Sequence, residues 1–164
     1  MRLLKVGLFP LITSCMKYKF EFDILGLVLF LTVMIPTIIW AFVPAPNDIL
    51  RMESATPVVD TIASVLQIMA VASLCFMSNK DADKLHLTPM VILAAICVLV
   101  YYAGWGLYYC GICSLWVIIL MTIPPCLALV LYAADRKNLP AALLSTGFAV
   151  CHLLFAILNF SMRK

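Results

Sequence analysis

An all-α integral membrane bundle of five transmembrane helices, N-terminus cytoplasmic and C-terminus outside, is the fold this sequence predicts. Composition is the first reason. Of 164 residues, 65% are hydrophobic and only 12% charged, with a mean hydropathy of +1.11, whereas soluble domains average roughly 45–50% apolar and about 25% charged. The second reason is that five apolar runs, each long enough to cross about 30 Å of hydrocarbon as a helix, use most of the chain. The third is the placement of the basic residues. With five spans, Arg2, Lys5, Lys17, Lys19, Lys80, Lys84, Arg136 and Lys137 fall on the N-terminal side and Arg51, Arg163 and Lys164 on the other, eight against three. The positive-inside rule assigns the richer side to the cytoplasm.

Residues 1–23 form a cytoplasmic or interfacial amphipathic leader in this reading, and residues 24–164 the five-helix domain. Ile12-Thr13-Ser14-Cys15 resembles a lipoprotein cleavage box. However, the apolar stretch before it is short and broken by Pro10, and cleavage would strand Lys17 and Lys19 on the outer face. The spans are placed at Ile24 to Val43, Val58 to Ser78, Leu87 to Tyr109, Ser114 to Ala134 and Leu139 to Phe160. Turn residues and charges separate them, and Pro89 and Pro140 fall near helix starts, where a missing N–H costs little. Trp40, Trp105 and Trp116 map to outer helix ends, and with Tyr108 and Tyr109 they are expected as interface anchors. A bacterial cytoplasmic membrane is the expected location.

Polar residues inside the spans are the candidates for function. Asp60, Ser64 and Gln67 share one face of the second span, and Ala141, Ser145, Ala149, His152, Ala156 and Asn159 share one face of the fifth. Small residues let helices approach, and polar side chains can then bond across the contact. At 1.5 Å per residue, Gln67 and His152 lie about 14 and 12 Å from the outer ends of their helices, and Asp60 and Asn159 within about 3 Å. Antiparallel packing therefore predicts Asp60 beside Asn159 and Gln67 beside His152. Pro124 and Pro125 free the carbonyls of Leu120 and Met121, and Pro36 frees that of Thr32. Freed carbonyls at membrane depth must find protein or water, and broken helices often line transporter sites.

The leading reading is thus a protein that binds or transports a small solute or ion in an outward-opening polar pocket between the second, fourth and fifth helices. Asp60, Ser64, Gln67, Leu120, Met121, His152 and Asn159 would be its ligand-binding residues. An accessory or structural membrane subunit is the alternative. Third comes a thiol-disulfide oxidoreductase using the outer pair Cys110 and Cys113, since a C-x-x-C pair can attack and resolve a mixed disulfide. No second cysteine pair is present to relay electrons, so a turn between spans is the stronger reading of "CGIC". No metal or cofactor is expected, because one C-x-x-C supplies two ligands and His86 and His152 map elsewhere. The lipid bilayer is the expected partner, with a homo-oligomer or a partner membrane subunit possible. Nucleic acid is excluded by a net charge of only +3 scattered in pairs. In length and span number the chain resembles the translocator protein family, which binds porphyrins and sterols. Pro124-Pro125 lacks that family's tryptophan context, so no ligand residues are carried over.

Overall fold

Residues 17–82 and 87–161 are described from a computed structural model. The Ile12–Cys15 stretch, Lys84 and His86 lie outside the described residues. In chain order the elements are β1 (Tyr18–Phe20), α1 (Ile24–Phe42), a 3₁₀ turn (Ile49–Arg51), α2 (Pro57–Phe76), β2 (Met77–Asn79), α3 (Pro89–Tyr109), α4 (Leu115–Asp135) and α5 (Leu139–Ser161). All five α-helices are long and apolar enough to cross a membrane, the architecture of a multi-pass membrane protein.

Four of the five helices start at a side-chain cap, and α2 starts at Pro57 without one. The side chains of Asp23, Thr88 and Ser114 accept hydrogen bonds from backbone N–H groups one turn ahead, and Asn138 Oδ1 accepts from Ala141 N. Each satisfies donors that no helical carbonyl can reach. Pro57 and Pro89 open α2 and α3. α3 ends in a Schellman turn: Gly111 N donates to Tyr108 O at 2.9 Å and Ile112 N to Leu107 O at 3.1 Å, with Gly111 at φ +85°, a conformation glycine adopts freely. The "CGIC" motif is therefore the stop of one helix and the start of the next. α4 ends the same way, with Lys137 in the left-handed position.

α4 is the central element: 56% of its apolar window is buried, against 17–28% for the other four. It packs along α3 on one side and α5 on the other, and α2 packs along α5. At Gly104 an added Cβ would stand 3.1 Å from Met121 and 3.2 Å from Leu120, so the missing side chain is what lets α3 close on α4. α1 touches α2, α3 and α4 more sparingly and turns Val28, Leu31, Ile35 and Ile38 outward.

The two ends of the bundle are tied differently. At one end β1 and β2 pair antiparallel, Tyr18 opposite Asn79, a small ribbon that the sequence reading had not anticipated. Ser78, placed there in the second span, belongs to this ribbon. Beside it Asp23 accepts from Tyr132 Oη at 2.9 and 3.0 Å, and Arg136 pairs with it at 3.5 Å. Asn138 Nδ2 donates to the carbonyls of Ser73 and Met77. At the other end the 43–52 loop folds over α1 and α3 around Asp48.

Candidate functional site

The Asp48 cluster closes one end of the bundle. Trp40 Nε1 donates to both carboxylate oxygens at 2.9 Å, Tyr108 Oη donates at 3.0 Å and Arg51 Nε at 2.8 Å. Arg51 also donates to the Trp40 carbonyl and lies 5.0 Å over the indole ring, a cation–π contact. Burial alone would raise the Asp48 carboxyl, but the hydrogen bonds from Trp40, Tyr108 and Arg51 outweigh it and hold the group below its ordinary value. Asp48, Arg51 and the role of Tyr108 were missed in the sequence, where Tyr108 is an expected interface anchor. It is instead fully buried.

Below that cap lies a cavity of about 330 Å³ lined by all five helices, not by α2, α4 and α5 alone. Most of its wall is apolar or aromatic. The polar minority comprises Thr37, Gln67, Tyr101, Trp105, Thr122, Cys126 and His152, and among the described residues no Asp, Glu, Lys or Arg lines it. Trp40 and Leu50 reach it from the Asp48 end. At the opposite end Leu74, Leu129, Tyr132, Ala133 and Ala141 form a buried apolar cluster.

A second pocket, of about 220 Å³, is lined by Asp60, Ala63, Ser64, Gln67, Phe148, His152 and Phe155. Gln67, Phe148, His152 and Phe155 line both spaces, so they form the partition. The His152 ring is stacked between Phe148, at 5.0 Å, and Phe155, at 6.2 Å. Its nitrogens have no hydrogen-bond partner among the described residues. Gln67 Nε2 makes only a 3.9 Å contact with Met34 Sδ.

The structure brings four of the sequence's candidate residues, Asp60, Ser64, Gln67 and His152, to one pocket, and Met121 to the larger cavity. It separates the others. Leu120 faces Gly104 of α3 and is absent from both linings. Asn159 is a clamp: its Oδ1 accepts from Ala55 N at 2.7 Å, and its Nδ2 donates to Thr56 Oγ1 and Phe155 O. Asp60 and Asn159 both bind Thr56, the former accepting from its hydroxyl at 3.3 Å, so the expected neighbours meet through a third residue. Gln67 and His152 share the partition without a hydrogen bond between them.

Proline chemistry explains part of the wall. Pro36 leaves the Thr32 carbonyl without its helical donor, and Tyr102 Oη donates to it at 2.8 Å. The next carbonyl, Val33, receives Tyr101 Oη at 3.0 Å. Trp105, an expected interface anchor, is only 7% exposed and lies in the cavity wall. Its buried ring stands edge-on to that of Tyr101, with centroids 6.4 Å apart. Trp116, 76% exposed, keeps the anchor position. Tyr101, Trp105 and Tyr108 recur at spacings of four and three on one face, the signal that separates lining residues from belt residues.

Cys110 and Cys113 are free thiols. Cys113 Sγ donates to Asn47 O at 2.9 Å, and Asn47 Nδ2 donates to Gly111 O, so the motif holds the 43–52 loop. Burial and the field of Asp48 push the Cys113 thiol up, which lowers the thiolate fraction that redox exchange needs. Among the described residues no group of three or more His, Cys, Asp or Glu side chains is arranged to hold a metal ion. The chain matches no protein-family model, no curated protein and no solved structure.

Proposed function

We propose that this is an integral membrane protein that binds a small, mostly apolar organic solute in the cavity between its five helices. The observation that carries the reading is the cavity itself: about 330 Å³, walled by all five helices, largely apolar, with a few polar groups on different helices. That size and lining are those of small-molecule sites. Two weakly bonded polar groups in the wall support it: among the described residues His152 has no hydrogen-bond partner and Gln67 Nε2 reaches only Met34 Sδ, at 3.9 Å, so both retain capacity for a ligand. A wall that holds no Asp, Glu, Lys or Arg among the described residues favours an organic solute over a bare ion.

The site is one-ended in this reading. The cavity reaches Trp40 and Leu50 beneath the Asp48 cap, whereas the Leu74, Leu129, Tyr132, Ala133 and Ala141 cluster packs the other side. Lys17, Lys19, Lys80, Arg136 and Lys137 lie toward the packed end and Arg51 toward the cap, so the positive-inside rule puts the cap outside. Binding, rather than passage through the bundle, is the activity this arrangement supports.

The test is equilibrium binding of naphthalene and 2-naphthol to the purified protein in phosphatidylcholine nanodiscs. Saturable binding is expected, weakened at least tenfold by His152→Leu and abolished by Cys126→Phe, which fills the cavity from α4. Binding unchanged in both variants, with both still folded, would refute the assignment.

A further inference from the structure

The two adjoining spaces differ in charge, and that difference specifies a ligand class. The larger is mostly apolar and aromatic and among the described residues no carboxylate lines it, while the smaller holds the Asp60 carboxylate and the Ser64 hydroxyl. Among the described residues no Lys or Arg lines the smaller pocket. Asp60 makes no ion pair among the described residues, and its side chain accepts from Thr56 Oγ1 at 3.3 Å. Ser64 Oγ donates to the Asp60 backbone carbonyl at 2.8 Å, so that hydroxyl does not occupy the carboxylate, which lines the pocket. A carboxylate at a membrane helix end is ordinarily matched by a basic side chain or by water. Here the structure offers it a chamber.

Resting on the cavity reading above, we infer that the natural ligand is an amphipathic amine, its apolar, ring-bearing body in the larger cavity and its ammonium in the smaller pocket against Asp60. The partition makes this geometry workable. Phe148, His152 and Phe155 stack along one face of α5, and aromatic faces attract a passing cation. Gln67, on the same α2 face as Asp60, stands about 10 Å along the axis from it. A ligand satisfying both chambers therefore carries its nitrogen on a short chain beyond the ring system. The same chemistry is offered by a free amine and by the ammonium headgroup of a lipid.

Isothermal titration in phosphatidylcholine nanodiscs, with empty discs subtracted, separates these ideas using 4-(2-naphthyl)butylamine and its matched alcohol, 4-(2-naphthyl)butanol. The amine is expected to bind at least tenfold more tightly than the alcohol at neutral pH. Asp60→Asn, close in shape to the native side chain, should bring the amine down to the alcohol's affinity and leave the alcohol unchanged. Equal binding of amine and alcohol, with Asp60→Asn affecting neither, would overturn the amine inference and leave the cavity reading standing. No saturable binding of either compound would remove both. Discs containing phosphatidylethanolamine identify the source: displacement of the amine assigns the ammonium to a lipid headgroup, and undiminished binding assigns it to a free amine.

Discussion

The Asp48 cap and the His152 partition are both polar clusters in an apolar bundle, yet they are built on opposite terms. Around Asp48, Trp40, Tyr108 and Arg51 all aim at one carboxylate whose side chain is only 10% exposed. Around the partition, among the described residues, His152 has no hydrogen bond and Gln67 has only a weak contact to sulfur. A saturated polar cluster holds structure together, because any substitution strands a donor. An unsaturated one beside empty space offers little to the fold and retains capacity for something that enters.

That contrast predicts an order of effects. Asp48→Ala should be the most damaging change, leaving the half-buried Trp40 and fully buried Tyr108 donors without that acceptor, at up to about 1–3 kcal/mol each. Thermal unfolding in detergent would measure it, and a loss well under 1 kcal/mol would erase the distinction between the clusters. Acid should reproduce part of that loss. Because the folded-state Asp48 carboxyl lies below its ordinary value, its contribution is complete above about pH 4 and disappears as pH falls through the lowered folded-state value. Melting curves of the wild type minus those of Asp48→Asn should isolate that acid limb, and a pH-independent difference would contradict it. Tyr102→Phe, which strips the donor from the Thr32 carbonyl, should cost about 0.6–1.7 kcal/mol, the range for polar contacts between membrane helices. His152→Phe should change stability least, within about 0.5 kcal/mol, since the ring stack on α5 survives and no hydrogen bond is lost. Strong destabilisation by that variant would make the partition structural.

Much of the frame was legible because lipid imposes length and polarity on each span independently of its neighbours. The first span, read as Ile24 to Val43, is Ile24–Phe42, and the fourth, read as Ser114 to Ala134, is Leu115–Asp135. Periodicity likewise placed Asp60, Ser64 and Gln67 on one face, and the structure puts all three at one pocket. What stayed hidden depends on partners distant in sequence. "YKF" and "MSN" are too short to show alternation and become strands only against each other. Asp48 lies in a loop whose partner Tyr108 is sixty residues away. Trp105 was misplaced because depth alone does not say whether a side chain faces lipid or the interior. Leu120 was misplaced because an unpaired carbonyl does not reveal which neighbouring helix covers it.

The pairing of α2 with α5 has a consequence for how the chain is made. The ribbon, together with the bonds from Glu21 and Asp23 to the end of α2, closes between residues 17 and 80, so that portion can fasten as soon as α2 has left the ribosome. Three of the four partition residues, however, Phe148, His152 and Phe155, come from α5, which is synthesised well after α2. Until α5 enters the bilayer, Asp60 and Gln67 face a vacancy that lipid, an insertase or another chain must shield. Any factor that escorts this protein during biogenesis would therefore find its handhold on α2, and would have to let go when α5 arrives.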